Sequence, residues 1–358
     1  MTFYEQRLAD DRREIQTRVV AVGRRVRNAV DVALRGLMEL DRTACSGVIL
    51  GDHPINRESR AISRLCHAFI ARHLPSGSHL RFVSAVLQMV VGLERIGDYA
   101  VTIAREAVQL SRPPGDELKR ELRDIGQQAT TVLDRSLDAF EAGDALLARE
   151  TKSQARLVGR TFAEIFHDLT TRGAALPLAD AFGYLTVFHR LERVGDQAKN
   201  LCEETIFCLT GETKAPRQYE ILFVDARCTV VAPLAVALAR KVFPESGRYT
   251  AVGYQAGESL APELLTFADE ISVDVSELRP RSLPDDSTEL ERFHVIVGLT
   301  AEARARLPRI PYASAYVQWQ VPKISDPVQI AAQLRNISRH LSTEIHDLMT
   351  TLRGEEAS

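Results

Sequence analysis

Two copies of an eight-residue acidic motif carry the side chains best suited to chemistry in this sequence. Residues 93–100 read LERIGDYA and residues 191–198 read LERVGDQA, so the copies lie 98 residues apart. Each copy has two acids at a spacing of four: Glu94 with Asp98, and Glu192 with Asp196. This spacing places both acids on one face of a helix. Two such carboxylates can ligate a hard cation such as magnesium, calcium, manganese or iron.

Each motif also contains a glycine, Gly97 or Gly195. Glycine in a helix interior costs about 1 kcal/mol of stability relative to alanine. Because it occurs at the same position of both copies, it indicates a structural or functional advantage that offsets this cost. One such advantage is the close approach of another backbone or of a bound ion. The alternative is a solvated acidic face, on which the glycine serves only helix packing.

Long amphipathic helices must position these motifs. Apolar residues step by three and four from Ile15 to Leu40, which predicts one buried helical stripe. We expect this helix to break at residues 51–54, with Asp52 as the N-cap of the next helix.

Further turn signals repeat the pattern of a long, a shorter and a long helix. They lie at residues 75–77, 111–115, 143–144 and 173–177. Short turns make neighbouring helices antiparallel. The sequence therefore predicts two tandem antiparallel three-helix bundles, residues 1–112 and 113–212, each with the acidic motif in its third helix.

The periodicity changes after a linker at residues 210–216. Short apolar runs at residues 221–224, 249–254, 294–299 and 315–319 alternate with helical segments. Strands that alternate with helices predict a parallel sheet. The expected fold class is thus multidomain α plus α/β, with a small four-stranded, doubly wound parallel domain over residues 218–358.

Composition excludes several classes of partner. The formal net charge is −3, which gives no general attraction to nucleic acid or to an anionic membrane. No apolar run is long enough to span a bilayer, and the N-terminal residues lack the apolar segment of a signal peptide. The five cysteines form no C-x-x-C pair, which favours a reduced, cytoplasmic setting.

The duplicated motif, in the third helix of each of two three-helix units, resembles the PhoU family of phosphate-signalling proteins over roughly the first 210 residues. The resemblance implies a cytoplasmic, helical and often dimeric protein that is not an enzyme. It also implies negative regulation of phosphate uptake and of the starvation response through phosphate transporter subunits and a sensor histidine kinase. Contact with the membrane would come only through these partners.

Some members of that family bind metal ions at such motifs, so the resemblance implies a site for iron, zinc, manganese or magnesium. The metal candidates are Glu94, Asp98, Glu192 and Asp196, with Asp52 and Asn56 from the second helix of the first unit. The corresponding stretch of the second unit, residues 153–159, reads SQARLVG and has no acid. We therefore expect metal binding to be biased to the first repeat.

The stretch from Ile221, ILFVDARCTVVAPLAVALARK, resembles the opening of low-molecular-weight tyrosine phosphatases and arsenate reductases. Those enzymes have a C-x5-R phosphate loop after the first strand. Here Asp225 stands at the nucleophile position and Val231 at the arginine position. Cys228 opens no C-x5-R, because Leu234 is six residues along. The resemblance thus implies a degenerate loop without turnover.

Two further residues, Arg227 and Asp326, each have two interpretations. Arg227 offers a contact to an anion or is simply solvated. Asp326 before Pro327 matches the family's general acid, or is a helix N-cap. The alternative functions are a divergent phosphatase or arsenate reductase that uses Cys228 or Asp225, and a helical adaptor with no link to metal or phosphate.

Overall fold

The computed structural model describes residues 2–171, 177–213, 217–311, 314–322, 330–354 and 357. Contacts divide the chain into two compact units, Met1–Lys214 and Ala215–Ser358. We call them the helical unit and the α/β unit. No described helix is both long enough and apolar enough to cross a membrane. The predicted turn residues 173–176 and Asp326 lie outside the described residues.

Six long helices make up the described part of the helical unit. They are α1 (Phe3–Glu39), α2 (Arg42–His73), α3 (Gly77–Gln109), α4 (Asp116–Ala142), α5 (Ala145–Thr171) and α6 (Leu178–Thr210). The predicted stripe of α1 is buried from Ile15 to Leu37. Burial of this stripe provides the free energy that keeps so long a helix ordered.

The expected break at residues 51–54 is wrong. Leu40 ends α1 in the left-handed region, with φ 54°, and its N–H bonds to the carbonyl of Gly36. Asp41, not Asp52, caps α2: its carboxylate accepts from the Ala44 amide at 2.9 Å. Pro54 lies inside α2, on an exposed position. A proline there costs about 3 kcal/mol, and the cost is offset because α2 buries apolar side chains on both sides of it.

The helices that carry the acidic motifs, α3 and α6, pack against each other. α3 also packs against α1 and α2, and α6 against α4 and α5. A single hydrophobic core contains residues of all six helices. The two repeats thus share one interior, and their division into domains 1–112 and 113–212 stays a prediction.

The α/β unit has the predicted parallel sheet. Its strands are β1 (Tyr219–Asp225), β2 (Gly247–Gly253), β3 (Val295–Gly298) and β4 (Ala315–Gln318), in the order β2-β1-β3-β4. Its helices are α7 (Val231–Val242), α8 (Pro262–Glu270), the short α9 (Ala303–Arg306) and α10 (Ile330–Arg353). α7, α8 and α10 cover one face of the sheet, and α9 with residues 287–293 covers the other. The central strand β1 ends at Asp225, so the sheet fixes the start of the predicted phosphate loop.

Candidate metal site and degenerate phosphate loop

The first acidic motif faces α2. A Cβ added at Gly97 would lie 3.7 Å from Cγ2 of Ile55 and 3.8 Å from Oδ1 of Asp52. Leu93 and Ile96 are buried in the core, whereas Glu94 is half-buried and Asp98 is exposed. The missing side chain of Gly97 therefore leaves Asp52 close to the backbone of α3, at the edge of the bundle.

Buried oxygen atoms without a donor mark the α2 side of this site. Asp52 Oδ2 accepts from Nδ2 of Asn56 at 2.7 Å. Within the described part of the chain, Asp52 Oδ1, Asn56 Oδ1 and the Ser59 hydroxyl are buried with no hydrogen-bond partner. A buried acceptor without a donor costs roughly 1–3 kcal/mol, so each such atom calls for a physical explanation.

The negative charges of two carboxylates repel each other in the same region. Burial raises the pKa of Asp98, the negative charge of Asp52 raises it further, and Arg105 opposes the shift. A cation between the two acids would relieve their repulsion and would satisfy the buried oxygens. The oxygen ligands that these residues offer, from two carboxylates and one side-chain amide, fit a hard cation. No group of three His, Cys, Asp or Glu side chains that could hold a metal ion occurs among the described residues, so this set needs water as a further ligand.

The second acidic motif faces a different surface. A Cβ at Gly195 would lie 3.1 Å from Cβ of Val158 on α5, so the opposing side chain is apolar. Arg193 bonds to Asp196 at 2.7 Å. Burial raises the pKa of Glu192, and the charge of Asp196 raises it further. Among the described residues, one acid of this motif is already paired and the side chain of α5 opposite the glycine is a valine, so this motif offers a metal ion fewer free oxygen ligands than the first.

In the α/β unit, the carboxylate of Asp225 is buried and accepts hydrogen bonds from its own loop. Oδ1 accepts from the Cys228 amide at 2.5 Å and Oδ2 from the Ala232 amide at 2.9 Å. Burial raises the pKa of Asp225, while the amides of Ala232, Cys228 and Arg227 act in the opposite direction. The loop amides and the N-terminus of α7 form the kind of cradle that binds a phosphate. Here the side chain of Asp225 already occupies it.

The thiol of this loop lies in surroundings that disfavour its thiolate form. Cys228 is fully buried, with φ 54°, and burial raises its pKa to about 11. A thiolate nucleophile needs the opposite shift. Arg227 is exposed, and the side chain of Val231 packs against the core of the unit.

The segment after β2 closes over this loop. The amides of Gln255 and Gly257 donate to the carbonyls of Ala226 and Arg227, each at 2.8 Å. These bonds depend on folded tertiary structure, and no motif in the sequence predicts them.

Comparison with known proteins identifies the helical part of the chain. The PhoU domain model matches residues 19–107 and 122–205. The phosphate-specific transport system accessory protein PhoU homolog of Pseudomonas putida is 31% identical over 223 residues, 61% of this chain and 87% of the relative. The chain belongs to the PhoU family. The crystal structure of PhoU from Pseudomonas aeruginosa agrees, with a TM-score of 0.54 and 30% identity over 57% of this chain and 99% of that one.

The PhoU match confirms the family resemblance, and each acidic motif lies near the end of one matched range. The α/β unit lies outside both ranges. It is similar to the tyrosine phosphatase Wzb from Escherichia coli K30 in complex with sulphate, with 14% identity and a TM-score of 0.31 over 37% of this chain and 96% of that one.

Proposed function

We propose that this PhoU-family chain is a cytoplasmic regulator that restrains phosphate uptake by a phosphate-specific transporter and the starvation response of a sensor histidine kinase. It acts as a homodimer through protein contacts, and reaches the membrane only through these partners. The observation that carries the transporter link is the similarity to transport accessory proteins over most of their length.

A metal ion at the first acidic motif is part of this proposal. Asp52, Asp98 and the amide oxygen of Asn56 would hold it, with Glu94 on the same helix face. An ion of iron, zinc, manganese or magnesium would supply positive charge that neutralises the two acids. The support is that Oδ1 of Asp52 and Oδ1 of Asn56 are buried and have no hydrogen-bond donor among the described residues.

Elemental analysis of the purified full chain tests the metal proposal. We expect Glu94→Ala with Asp98→Ala to remove most of the bound metal. Glu192→Ala with Asp196→Ala is the matched control and should leave the metal content unchanged. Equal losses in the two double variants would contradict the proposed asymmetry.

A phosphate-responsive reporter tests the regulatory role. Deletion of the gene should raise reporter output in phosphate-replete medium, and the full-length chain should restore repression. A deletion strain that keeps normal repression would contradict the role in signalling. Co-purification of transporter subunits with the full chain then separates a transporter partner from a kinase partner.

The α/β unit is proposed to be a non-catalytic accessory. Its support is the self-filled loop: Asp225 takes the amides that a phosphate would need, and the Cys228 thiol is buried. The purified chain should hydrolyse no aryl phosphate and reduce no arsenate above background. Wild-type turnover that disappears in Cys228→Ser would establish the rival enzymatic function.

A further inference from the structure

A cavity of about 580 Å³ lies at the end of the helical unit, between the start of α1 and the turn from α2 to α3. Its lining includes Tyr4, Arg12, Arg13, His73, Ser76 and His79. The volume is within the range of small-molecule sites, roughly 300–1,000 Å³. Asp52 is 21 residues from His73 along α2, or about 30 Å of helix, so the cavity is separate from the candidate metal site.

Basic groups dominate the polar wall. The guanidinium of Arg12 lies over the Phe82 ring, 4.8 Å from its centroid. A cation–π contact places no oxygen acceptor on the guanidinium, whose N–H groups can bind an oxyanion in a fork. Burial lowers the pKa of His79, and the charges of Arg12 and His73 lower it further, so the three groups lie close enough to create a positive potential.

The acids near the cavity already have partners. Glu5 is bonded to the backbone amide of Thr2 at 2.7 Å. Asp11 receives a bond from Arg72 at 2.5 Å and contacts Nε2 of His73 at 2.8 Å. Arg72 offsets the negative charge of Asp11, and the bond to Thr2 holds Glu5 at the N-terminus of α1.

A buried nitrogen and a helix terminus complete the site. The His73 side chain is only 1% exposed, and its Nδ1 has no hydrogen-bond partner among the described residues. Because Asp11 contacts Nε2, Nδ1 is the ring nitrogen left to form a hydrogen bond with a ligand. Ser76 is the N-cap of α3 but its side chain forms no capping bond, so the first turn of α3 adds positive potential at the cavity.

We propose that this cavity binds a phosphate group, either inorganic phosphate or the phosphate of a small phosphomonoester. Arg12 and Arg13 supply charge, and His73, His79 and the start of α3 supply donors. The apolar side chains on the wall, Tyr4, Leu8 and Leu74, would contact the body of a phosphomonoester. This site is independent of the metal ion and of the transporter link proposed above.

Calorimetric titration of the EDTA-treated full chain tests the proposal, with inorganic phosphate and phenyl phosphate as probes. We expect one saturable site per chain. Arg12→Gln should weaken binding by about tenfold or more, because a charge-assisted hydrogen bond is lost. His79→Ala should weaken it several-fold. Arg25→Gln is the matched control, since Arg25 is an exposed arginine of α1 that does not line the cavity.

The two probes distinguish the two sources of phosphate. Tighter binding of phenyl phosphate assigns the site to a phosphomonoester, and equal or weaker binding assigns it to free phosphate. Asp52→Ala with Asp98→Ala should leave both affinities unchanged, which separates this site from phosphate held by a metal. If the melting temperature of Arg12→Gln is well below that of the wild type, the phosphate affinities of Arg12→Lys and His79→Ala test the proposal instead. No saturable binding, or the same affinity in Arg12→Gln as in Arg25→Gln, would overturn the proposal.

Discussion

Asp52 and Asp225 both have buried carboxylate oxygens at positions where the sequence predicts chemistry, but their surroundings differ. Oδ1 of Asp52 is buried with no donor in the described structure. Both oxygens of Asp225 accept backbone amides. The first arrangement is incomplete without a ligand, whereas the second is complete in itself. The comparison shows that satisfied hydrogen bonds, more than burial, separate a candidate binding site from a structural element.

The largest expected effect is on Asp225. Asp225→Ala leaves several loop amides buried without an acceptor, and each bond to a charged group contributes roughly 1.5–3 kcal/mol. We expect the free energy of unfolding of the α/β unit to fall by about 3 kcal/mol or more in chemical denaturation. Asp269→Ala, at an exposed position of α8, is the control and should change it by less than about 0.5 kcal/mol.

Adding an anion to wild-type and Asp225→Ala protein extends this denaturation test. If the carboxylate occupies an anion cradle, phosphate or sulfate should stabilise Asp225→Ala more than it stabilises the wild type. Equal stabilisation of the two proteins would show that the loop is not a cradle once Asp225 is removed.

A second prediction compares the motif glycines. Gly195→Ala places a methyl group 3.1 Å from Val158 and should destabilise the helical unit by about 1–2 kcal/mol through overpacking. Gly97→Ala meets its neighbours at 3.7 Å or more and should be neutral or stabilising by up to about 1 kcal/mol. Thermal unfolding of the two variants checks the order. Val158→Ala combined with Gly195→Ala should recover part of the loss, and no recovery would place the strain elsewhere.

A third prediction concerns Asp52 in metal-free protein. Asp52→Ala loses the hydrogen bond from Asn56 to Oδ2, but it also removes Oδ1, which is buried with no donor among the described residues. These two effects oppose each other, so the unfolding free energy should change by less than about 1 kcal/mol. Added manganese or zinc should raise the melting temperature of the wild type but not of Asp52→Ala. A large loss of stability without metal would show that the carboxylate is structural, as at Asp225.

The smallest expected effect is a pH dependence from Asp98. The pKa of Asp98 is raised above 3.8 in the folded chain, so the folded state holds this proton more tightly than the unfolded state. Stability should therefore rise slightly as the pH falls from neutral towards that value. Asp98→Asn should remove this component from denaturation curves of metal-free protein. Exposure of Asp98 keeps the effect small, and a slope of opposite sign in the wild type relative to Asp98→Asn would contradict it.

Periodic features were predictable from the sequence, and local exceptions were not. The stripe from Ile15, the duplicated motif and the strands follow from spacing alone. The break at Leu40 was missed because a leucine in the left-handed region has no compositional signal, whereas Gly51 and Pro54 have a strong one. Tertiary burial outweighed that local preference.

The candidate sites divide in the same way. The positions of Asp98 and Asp225 in their elements followed from motifs, whereas Asp52 was expected at an N-cap and lies inside α2. The amides that bond to Asp225, and the valine opposite Gly195, depend on which helices and loops meet. The cavity at His73 and His79 was missed for the same reason, since its residues come from two separate stretches of chain, 4–16 and 73–79.

The buried cysteines have a consequence for measuring motion. All five thiols are free and buried, and burial raises the pKa of Cys66 to about 11 and of Cys202 to about 12. Alkylation of such a thiol requires transient opening of the surrounding structure. Cys228 is the one cysteine of the α/β unit, and the other four lie in the helical unit. Mass spectrometry of the alkylated peptides would therefore measure the opening rate of each unit separately, without any substitution in the chain.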